Sequence, residues 1–169
     1  MSSQLISLIL FGIAASFSPG PNNIVTSYSA YNFGFKKTIP TMLGVVSGWT
    51  LLSILLLFGS TIIFTKFENL QTIIKILGSA YLLFLAYKIS FNKIRSEKKV
   101  GKPVTFLNTF FFQFINPKSI ICGSTAVSLF VDLQSDYMRD SIIFVFVMFL
   151  VAVGSQTSWC LMGSYLRKF

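Results

Sequence analysis

Two short polar segments interrupt long apolar stretches of this sequence. The first is SPGPNN, from Ser18 to Asn23, and the second is NPK, from Asn116 to Lys118. The two prolines of SPGPNN remove two backbone N–H donors and disfavour a helical conformation in the residues before them. A bilayer core cannot satisfy free backbone groups, so a broken helix persists there only where it faces protein or an aqueous cavity. Both segments therefore indicate an internal polar site.

Side-chain amides give these two breaks their chemistry. Asn22 and Asn23 place two amides beside the first break, and Asn22 is expected to cap the half-helix that follows. Asn116 lies at the second break, and Gln113 shares its helical face if the helix continues through that point. The N-termini of half-helices offer N–H groups and positive dipole ends to an anionic group such as a carboxylate. These residues predict a binding site for a small molecule that carries a carboxylate.

The predicted substrate site takes nine residues from the two breaks. They are Pro19, Gly20, Pro21, Asn22, Asn23, Gln113, Asn116, Pro117 and Lys118. A lysine deep in a membrane span costs on the order of 3 kcal/mol unless it is paired or hydrated. Lys118 therefore either binds a substrate carboxylate or closes a gate, or it extends to the cytoplasmic face.

Further polar and small residues lie near the breaks. Asn108, Gln156 and Trp49 either line the same cavity, or form helix–helix hydrogen bonds and interface anchors. Gly44, Ser47 and Gly48 are expected to allow close helix packing rather than to contact the substrate.

The composition places the chain in a membrane. Of its 169 residues, 53% are hydrophobic and 11% are charged, whereas soluble domains carry roughly 25% charged residues. The net charge of +9 falls mostly between apolar blocks, which indicates topology signals rather than a nucleic-acid partner. The sequence has no histidine, and Cys122 and Cys160 lie in apolar segments. No metal, cofactor or disulfide framework is therefore expected.

Five apolar blocks follow one another along the chain. They are Leu5–Phe35, Thr38–Thr65, Leu70–Ile89, Val104–Val131 and Ser141–Leu166. About 20 apolar residues suffice for a helix to cross a bilayer, and the first block is long enough only if it continues through its break. The prediction is an all-α, polytopic membrane protein with five transmembrane helices, of which the first and fourth are broken. Residues 1–169 are expected to form a single transmembrane domain.

The charged loops alternate along the chain, and this alternation predicts the topology. The loops at Lys36, at 92–103 and at Arg167 are basic, whereas the loops that hold Glu68 and the three aspartates are acidic. The positive-inside rule then places the N-terminus outside and the loop 92–103 in the cytoplasm.

The two broken blocks are three crossings apart, so they run in opposite directions. This arrangement predicts an inverted repeat, with residues 1–91 as a first three-helix repeat and 104–169 as an incomplete second one. In secondary transporters, paired interruptions of this kind mark the substrate site near the bilayer midplane.

Nearly the whole chain resembles the lysine exporter (LysE/RhtB) family of amino-acid efflux permeases. The resemblance lies in SPGPNN, GFKKTIPTMLGVVSGW, LGSAYLLFLAYKI and FQFINPKSII. Within the family, FINPKSIICGSTAVSLFV and VGSQTSWCLMGSYL are most similar to the bacterial cysteine/O-acetylserine exporter type. The resemblance implies proton-driven export of a small neutral amino acid across the bacterial inner membrane.

Two departures from the family pattern affect this expectation. Trp49 stands where many members carry an aspartate, so a coupling role for a carboxylate there does not transfer. All five acidic residues lie in loops or at membrane edges, so the sequence does not identify a proton carrier. The family has six helices and this sequence predicts five. The alternative function is therefore a truncated, non-transporting remnant, or a membrane subunit that needs a partner helix.

An intramembrane enzyme is disfavoured, because catalysis needs a nucleophile and a base within reach of each other. The expected partners are an amino-acid substrate and membrane lipid, with a homo-oligomer left open. The sequence does not determine the exact substrate, the coupling ion or the oligomeric state.

Overall fold

The structure, a computed structural model, describes residues 2–66, 102–131 and 136–168. Its helices are α1 (Ser2–Phe17), α2 (Pro21–Phe33), α3 (Phe35–Lys66), α4 (Phe106–Phe112), α5 (Pro117–Phe130) and α6 (Tyr137–Leu166). These three ranges contain no strand, which confirms the all-α prediction. The predicted third block lies outside the described residues, as does nearly all of the basic loop. The count of five spans and the inverted repeat therefore stay predictions.

The described helices include segments long and apolar enough to cross a membrane. Phe35–Gly59 within α3 and Tyr137–Leu166 qualify by length and composition. Ser3–Phe17 and Pro21–Phe33 qualify together, as a pair bent by 55° at the break between them. The described part of the chain therefore has two candidate spans, or three if the bent pair is one span.

The first break occurs where SPGPNN predicts it. α1 ends at Phe17, and α2 begins with Pro21 at its first helical position, after Gly20 in an extended conformation. A proline fits this first position because its fixed φ suits the helix and its missing N–H would have no partner there. Gly20 is therefore the N-cap, and no side chain caps α2. The expectation that Asn22 caps this half-helix is wrong, because Pro21 sets the start of the helix one residue earlier.

The second break separates α4 from α5. α4 ends at Phe112, and a turn over 113–115 precedes Asn116. The Asn116 side chain caps α5 by accepting a hydrogen bond from the Lys118 backbone N–H at 3.1 Å. Pro117 occupies the first helical position, as Pro21 does in α2. Because the helix does not continue from Gln113 to Asn116, the two residues do not share one helical face.

Small residues let α3 approach the backbone of α4. A Cβ atom on Gly48 would lie 2.5 Å from the carbonyl oxygen of Phe110. A Cβ atom on Gly44 would overlap the carbonyl oxygen of Phe106 and the hydroxyl of Thr109. The predicted packing role of these two glycines is confirmed, since neither position has room for a methyl group.

Replacing Gly44 with alanine is expected to lower the thermal stability of the protein. The added methyl group would meet a backbone carbonyl that cannot rotate away, and overpacking of this kind typically costs about 1–3 kcal/mol. Gly154→Ala is the matched control, because a Cβ atom there meets no atom of the described residues within 4 Å. Removal of a helical glycine in open space stabilises a helix by about 0.5–1 kcal/mol. Thermal unfolding in detergent should rank Gly154→Ala at or above the wild type and Gly44→Ala below it, and equal stability of the two variants would contradict the packing argument.

α6 is the helix against which α1, α2 and α3 pack. Its inward face carries Phe144, Met148 and Ala152, which join a buried apolar cluster with residues of α1, α3 and α5. Next to these apolar positions, Ser155 and Gln156 are buried as well. α6 therefore combines an apolar core face with polar groups that reach the first break.

Candidate functional site

The two breaks, 100 residues apart in sequence, are in direct contact. The Lys118 amine donates hydrogen bonds to the backbone oxygen and to the hydroxyl of Ser18, both at 2.8 Å. The Ser18 hydroxyl in turn donates to the Ala15 carbonyl at 2.9 Å. Lys118 is thus bonded to the first break in this structure, whereas the snorkelling alternative requires it to extend toward the membrane surface.

Gln113 joins the breaks a second time through an amide pair. Asn22 Nδ2 donates to Gln113 Oε1 at 2.8 Å, and Gln113 Nε2 donates to Asn22 Oδ1 at 3.1 Å. Gln113 Nε2 also donates to the Thr109 carbonyl, and Gln113 Oε1 accepts from the Ser119 hydroxyl. A glutamine amide has two donor hydrogens and two acceptor positions, so all four are in use. Gln113 therefore holds Asn22 in place and has no free hydrogen-bonding capacity for a ligand.

Asn23 satisfies the backbone that the first break exposes. Its Nδ2 donates to the carbonyls of Ser16 and Ser18 at 2.7 and 2.9 Å. Its Oδ1 accepts from Gln156 Nε2 at 2.8 Å, and Gln156 Oε1 accepts from the Thr26 hydroxyl at 2.6 Å. The last carbonyls of a helix have no partner inside the helix, and here the side chain of the next half-helix supplies it.

Sequence reasoning missed two members of this network. Thr26 lies three residues after Asn23, on the same face of α2, and it is fully buried. Ser155 donates to the Ser16 carbonyl at 2.7 Å, beside the contact that Asn23 makes. The spacing of Asn23 and Thr26 was the available signal, because residues three apart on a helix are neighbours.

A partly open cavity of about 60 Å³ lies where the breaks and the long helices meet. The described residues that line it are Ala15, Ser16, Gly20, Asn22, Asn23, Val45, Trp49, Asn116, Lys118, Ser119, Cys122, Met148, Ala152, Ser155 and Gln156. This volume admits a few water molecules, and ligand pockets usually measure about 300–1,000 Å³. In this conformation the cavity is therefore smaller than a usual ligand pocket.

The predicted site residues divide into two groups at this cavity. Those that line it are Gly20, Asn22, Asn23, Asn116 and Lys118. Those that do not are Pro19, Pro21, Gln113 and Pro117. The prolines place the half-helix ends, and Gln113 positions its neighbour. Of the further polar residues, Gln156 and Trp49 line the cavity, whereas Asn108 is exposed.

The described lining residues include hydrogen-bond donors and no carboxylate. Lys118 is the one basic side chain among the described lining residues, and none of those residues is acidic. Asn116 Nδ2 and Trp49 Nε1 are buried and have no acceptor in the described part of the chain. Within the described ranges, no group of three His, Cys, Asp or Glu side chains could hold a metal ion. The arrangement is suited to bind an oxygen-bearing, anionic group.

The sequence matches a known family and its members. The family described as LysE type translocator matches residues 13–166, a range that includes both breaks. A protein named cysteine/O-acetylserine efflux protein from Salmonella paratyphi A (strain ATCC 9150 / SARB42) is 30% identical, over 99% of this chain and 87% of that protein. A protein of the same name from Escherichia coli (strain K12) is 26% identical, over 94% of this chain and 81% of that protein. No solved structure matches the chain. This chain belongs to the LysE type translocator family of membrane transport proteins.

Proposed function

We propose that this protein exports cysteine, O-acetylserine or a similar small neutral amino acid across the bacterial inner membrane. The observation that carries the proposal is the contact of the two breaks, in which Lys118 reaches Ser18 beside a small cavity that several polar residues line. The names of the relatives from Salmonella and Escherichia coli supply the substrate class. Transport is driven by protons in this proposal, with no carrier residue assigned.

The proposed topology has five spans, with the N-terminus outside and the loop 92–103 in the cytoplasm. Arg167 lies close to Gly34, so the basic end of α6 and the basic turn between α2 and α3 share one end of the protein. At the other end, the Tyr137 hydroxyl donates to the Leu57 carbonyl at 2.7 Å, next to Asp136. This separation of basic and acidic ends supports the orientation that the positive-inside rule predicts.

Opening of the cavity is the proposed transport step. The half-helices α2 and α5 begin at the two breaks, and the breaks are held together by the Lys118–Ser18 contact and by the Asn22–Gln113 pair. A substrate carboxylate that accepts the remaining hydrogen of the Lys118 amine neutralises its charge and weakens its hydrogen bonds to Ser18. Its binding therefore loosens the contact between the breaks, which couples substrate binding to the separation of the two repeats.

Replacing Asn22 with alanine is expected to reduce export about tenfold. The change removes both hydrogen bonds of the amide pair and leaves Gln113 buried with unpaired groups, at a cost of about 1–3 kcal/mol. Asn32→Ala is the matched control, because the Asn32 amide lies on the same helix and bonds the Tyr28 carbonyl of that helix. The assay measures cysteine and O-acetylserine in the medium of an overproducing strain, against an empty vector and at equal protein level.

Two results would contradict the proposal. If membrane-inserted wild-type protein raises neither amino acid in the medium, export of these substrates is wrong and a non-transporting role is favoured. If Asn22→Ala and Asn32→Ala export equally, the contact between the breaks does not support transport.

Proton coupling has a test of its own. An uncoupler that abolishes the proton gradient should stop export. Continued export against the concentration gradient of the amino acid, in the presence of the uncoupler, would exclude proton coupling.

A further inference from the structure

Two residues that line the cavity carry a buried N–H group with no hydrogen-bond acceptor among the described residues. Trp49 is 9% exposed and Asn116 is 1% exposed, and both line the cavity. Trp49 Nε1 and Asn116 Nδ2 find no partner among the described residues. A buried donor without an acceptor costs about 1–3 kcal/mol, so such groups are rare in native proteins and call for an explanation.

Packing prevents these donors from turning to other partners. The six-membered ring of Trp49 packs on α5, where a Cβ atom added to Gly123 would lie 3.2 Å from Trp49 Cη2. The Asn116 side chain is fixed by its own cap, since its Oδ1 accepts from the Lys118 backbone N–H. Both side chains, which belong to residues that line the cavity, are therefore held in place with an N–H group that has no acceptor in the described part of the chain.

Lys118 adds a third donor to the same wall. Its amine uses two of three N–H hydrogens on Ser18, which leaves one hydrogen free. A carboxylate has two oxygen atoms with enough acceptor positions for three donors. Its hydrogen bonds are also stronger than those of a neutral acceptor, because they are charge-assisted. A substrate with a basic side chain carries a second ammonium group beside its α-ammonium group. This second group has no carboxylate partner among the described lining residues, and it would lie near the Lys118 cation.

We propose that Trp49 and Asn116 bind the carboxylate of the substrate together with Lys118, and that the site excludes amino acids with a basic side chain. This inference rests on the proposed function, because it names the group of the exported amino acid that the cavity recognises. Trp49 is then a specificity-determining residue, through its indole N–H.

Tryptophan fluorescence tests this proposal without transport. The chain has two tryptophans, and Trp159 does not line the cavity. Trp159→Phe therefore leaves Trp49 as the single tryptophan of the full-length protein, purified in detergent. Cysteine and O-acetylserine are expected to change its emission in a saturable way. Cysteamine, which lacks the carboxylate of cysteine, and lysine are expected to leave it unchanged at the same concentrations.

Two variants then separate the donors from the packing. Trp49→Phe keeps an aromatic ring and removes the N–H, and Asn116→Asp keeps the oxygen that caps α5 and replaces the N–H donor with an acceptor. Each is expected to raise the dissociation constant for cysteine about tenfold or more in calorimetric titrations, whereas Trp159→Phe binds like the wild type. Circular dichroism and thermal unfolding verify that each variant is folded before it is titrated.

Three results would overturn the inference. One is an unchanged cysteine affinity in folded Trp49→Phe and Asn116→Asp, which would leave water as the partner of these donors. The others are cysteamine binding as tightly as cysteine, and lysine binding as tightly as either neutral amino acid. Failure of this inference is distinguishable from failure of the proposed function. Export by wild type and Trp49→Phe with equal affinity defeats the inference alone, whereas carboxylate-dependent binding without export defeats the proposed function alone.

Discussion

Lys118→Met is expected to reduce export about a hundredfold while the protein still inserts in the membrane. Methionine has a similar length and an apolar side chain, so the change removes the cation and both hydrogen bonds to Ser18. Hydrogen bonds of a charged group are worth about 1.5–3 kcal/mol, and the proposed carboxylate contact is lost with them. Export of O-acetylserine and cysteine from overproducing cells is the measurement, normalised to the amount of protein in the membrane.

Two further variants make this prediction specific. Lys102→Met removes an exposed positive charge and is expected to export like the wild type. Lys118→Arg keeps the charge but brings a larger planar group into a position where Lys118 Nζ already lies 2.9 Å from the place of a Gly20 Cβ. Arginine is therefore expected not to restore export. Wild-type export by Lys118→Met would instead favour the snorkelling interpretation, in which the amine leaves the break.

The local features of the two breaks were predictable from sequence, because proline acts on its own chain neighbours. Pro21 and Pro117 each occupy the first position of a half-helix, as the loss of an N–H donor requires. The wrong prediction concerns the cap of α2, because Pro21 rather than Asn22 determines where the helix begins. Gly20 fills the cap position without a side chain, and Asn22 becomes free to reach the other break.

The pairing of side chains across the site could not be predicted from the sequence, because it depends on how distant helices pack. Asn22 and Gln113 are 91 residues apart, and Asn23 and Gln156 are 133 residues apart. Each residue was identified as a polar group in an apolar segment, yet nothing local indicates which pairs saturate each other. Gln113 illustrates the result, since its four bonds make it a positioning residue rather than a free ligand.

The role of Trp49 could not be predicted from the sequence. In a single sequence, a tryptophan within a membrane helix has the same appearance whether it anchors at an interface or lines a cavity. The distinction is a matter of tertiary surroundings, here the proximity of Gly123 and the unpaired indole N–H. Only the assembled helices reveal that two residues lining the cavity carry N–H donors with no acceptor in the described part of the chain.

Asn23→Asp is expected to cause the largest loss of stability of any single-atom change in the site. The Asn23 amide donates to two carbonyl oxygens, of Ser16 and Ser18, while its side chain is 3% exposed. Aspartate would place a negatively charged oxygen against these two carbonyls. An unpaired buried charge is strongly unfavourable: leaving one by breaking a buried ion pair costs about 3–5 kcal/mol, which is a large part of the stability of a typical domain.

The ranking of three variants separates this repulsion from simple loss of hydrogen bonds. Asn23→Ala removes the donors without adding charge, so it should unfold at a temperature between those of Asn23→Asp and the wild type. Asn32→Asp, on the same helix and outside the cavity, should unfold close to the wild type. Thermal unfolding and the fraction of monodisperse protein after solubilisation are the measurements. If Asn23→Asp is as stable as Asn32→Asp, the amide does not hold the end of α1, and the position of the first break depends on its prolines alone.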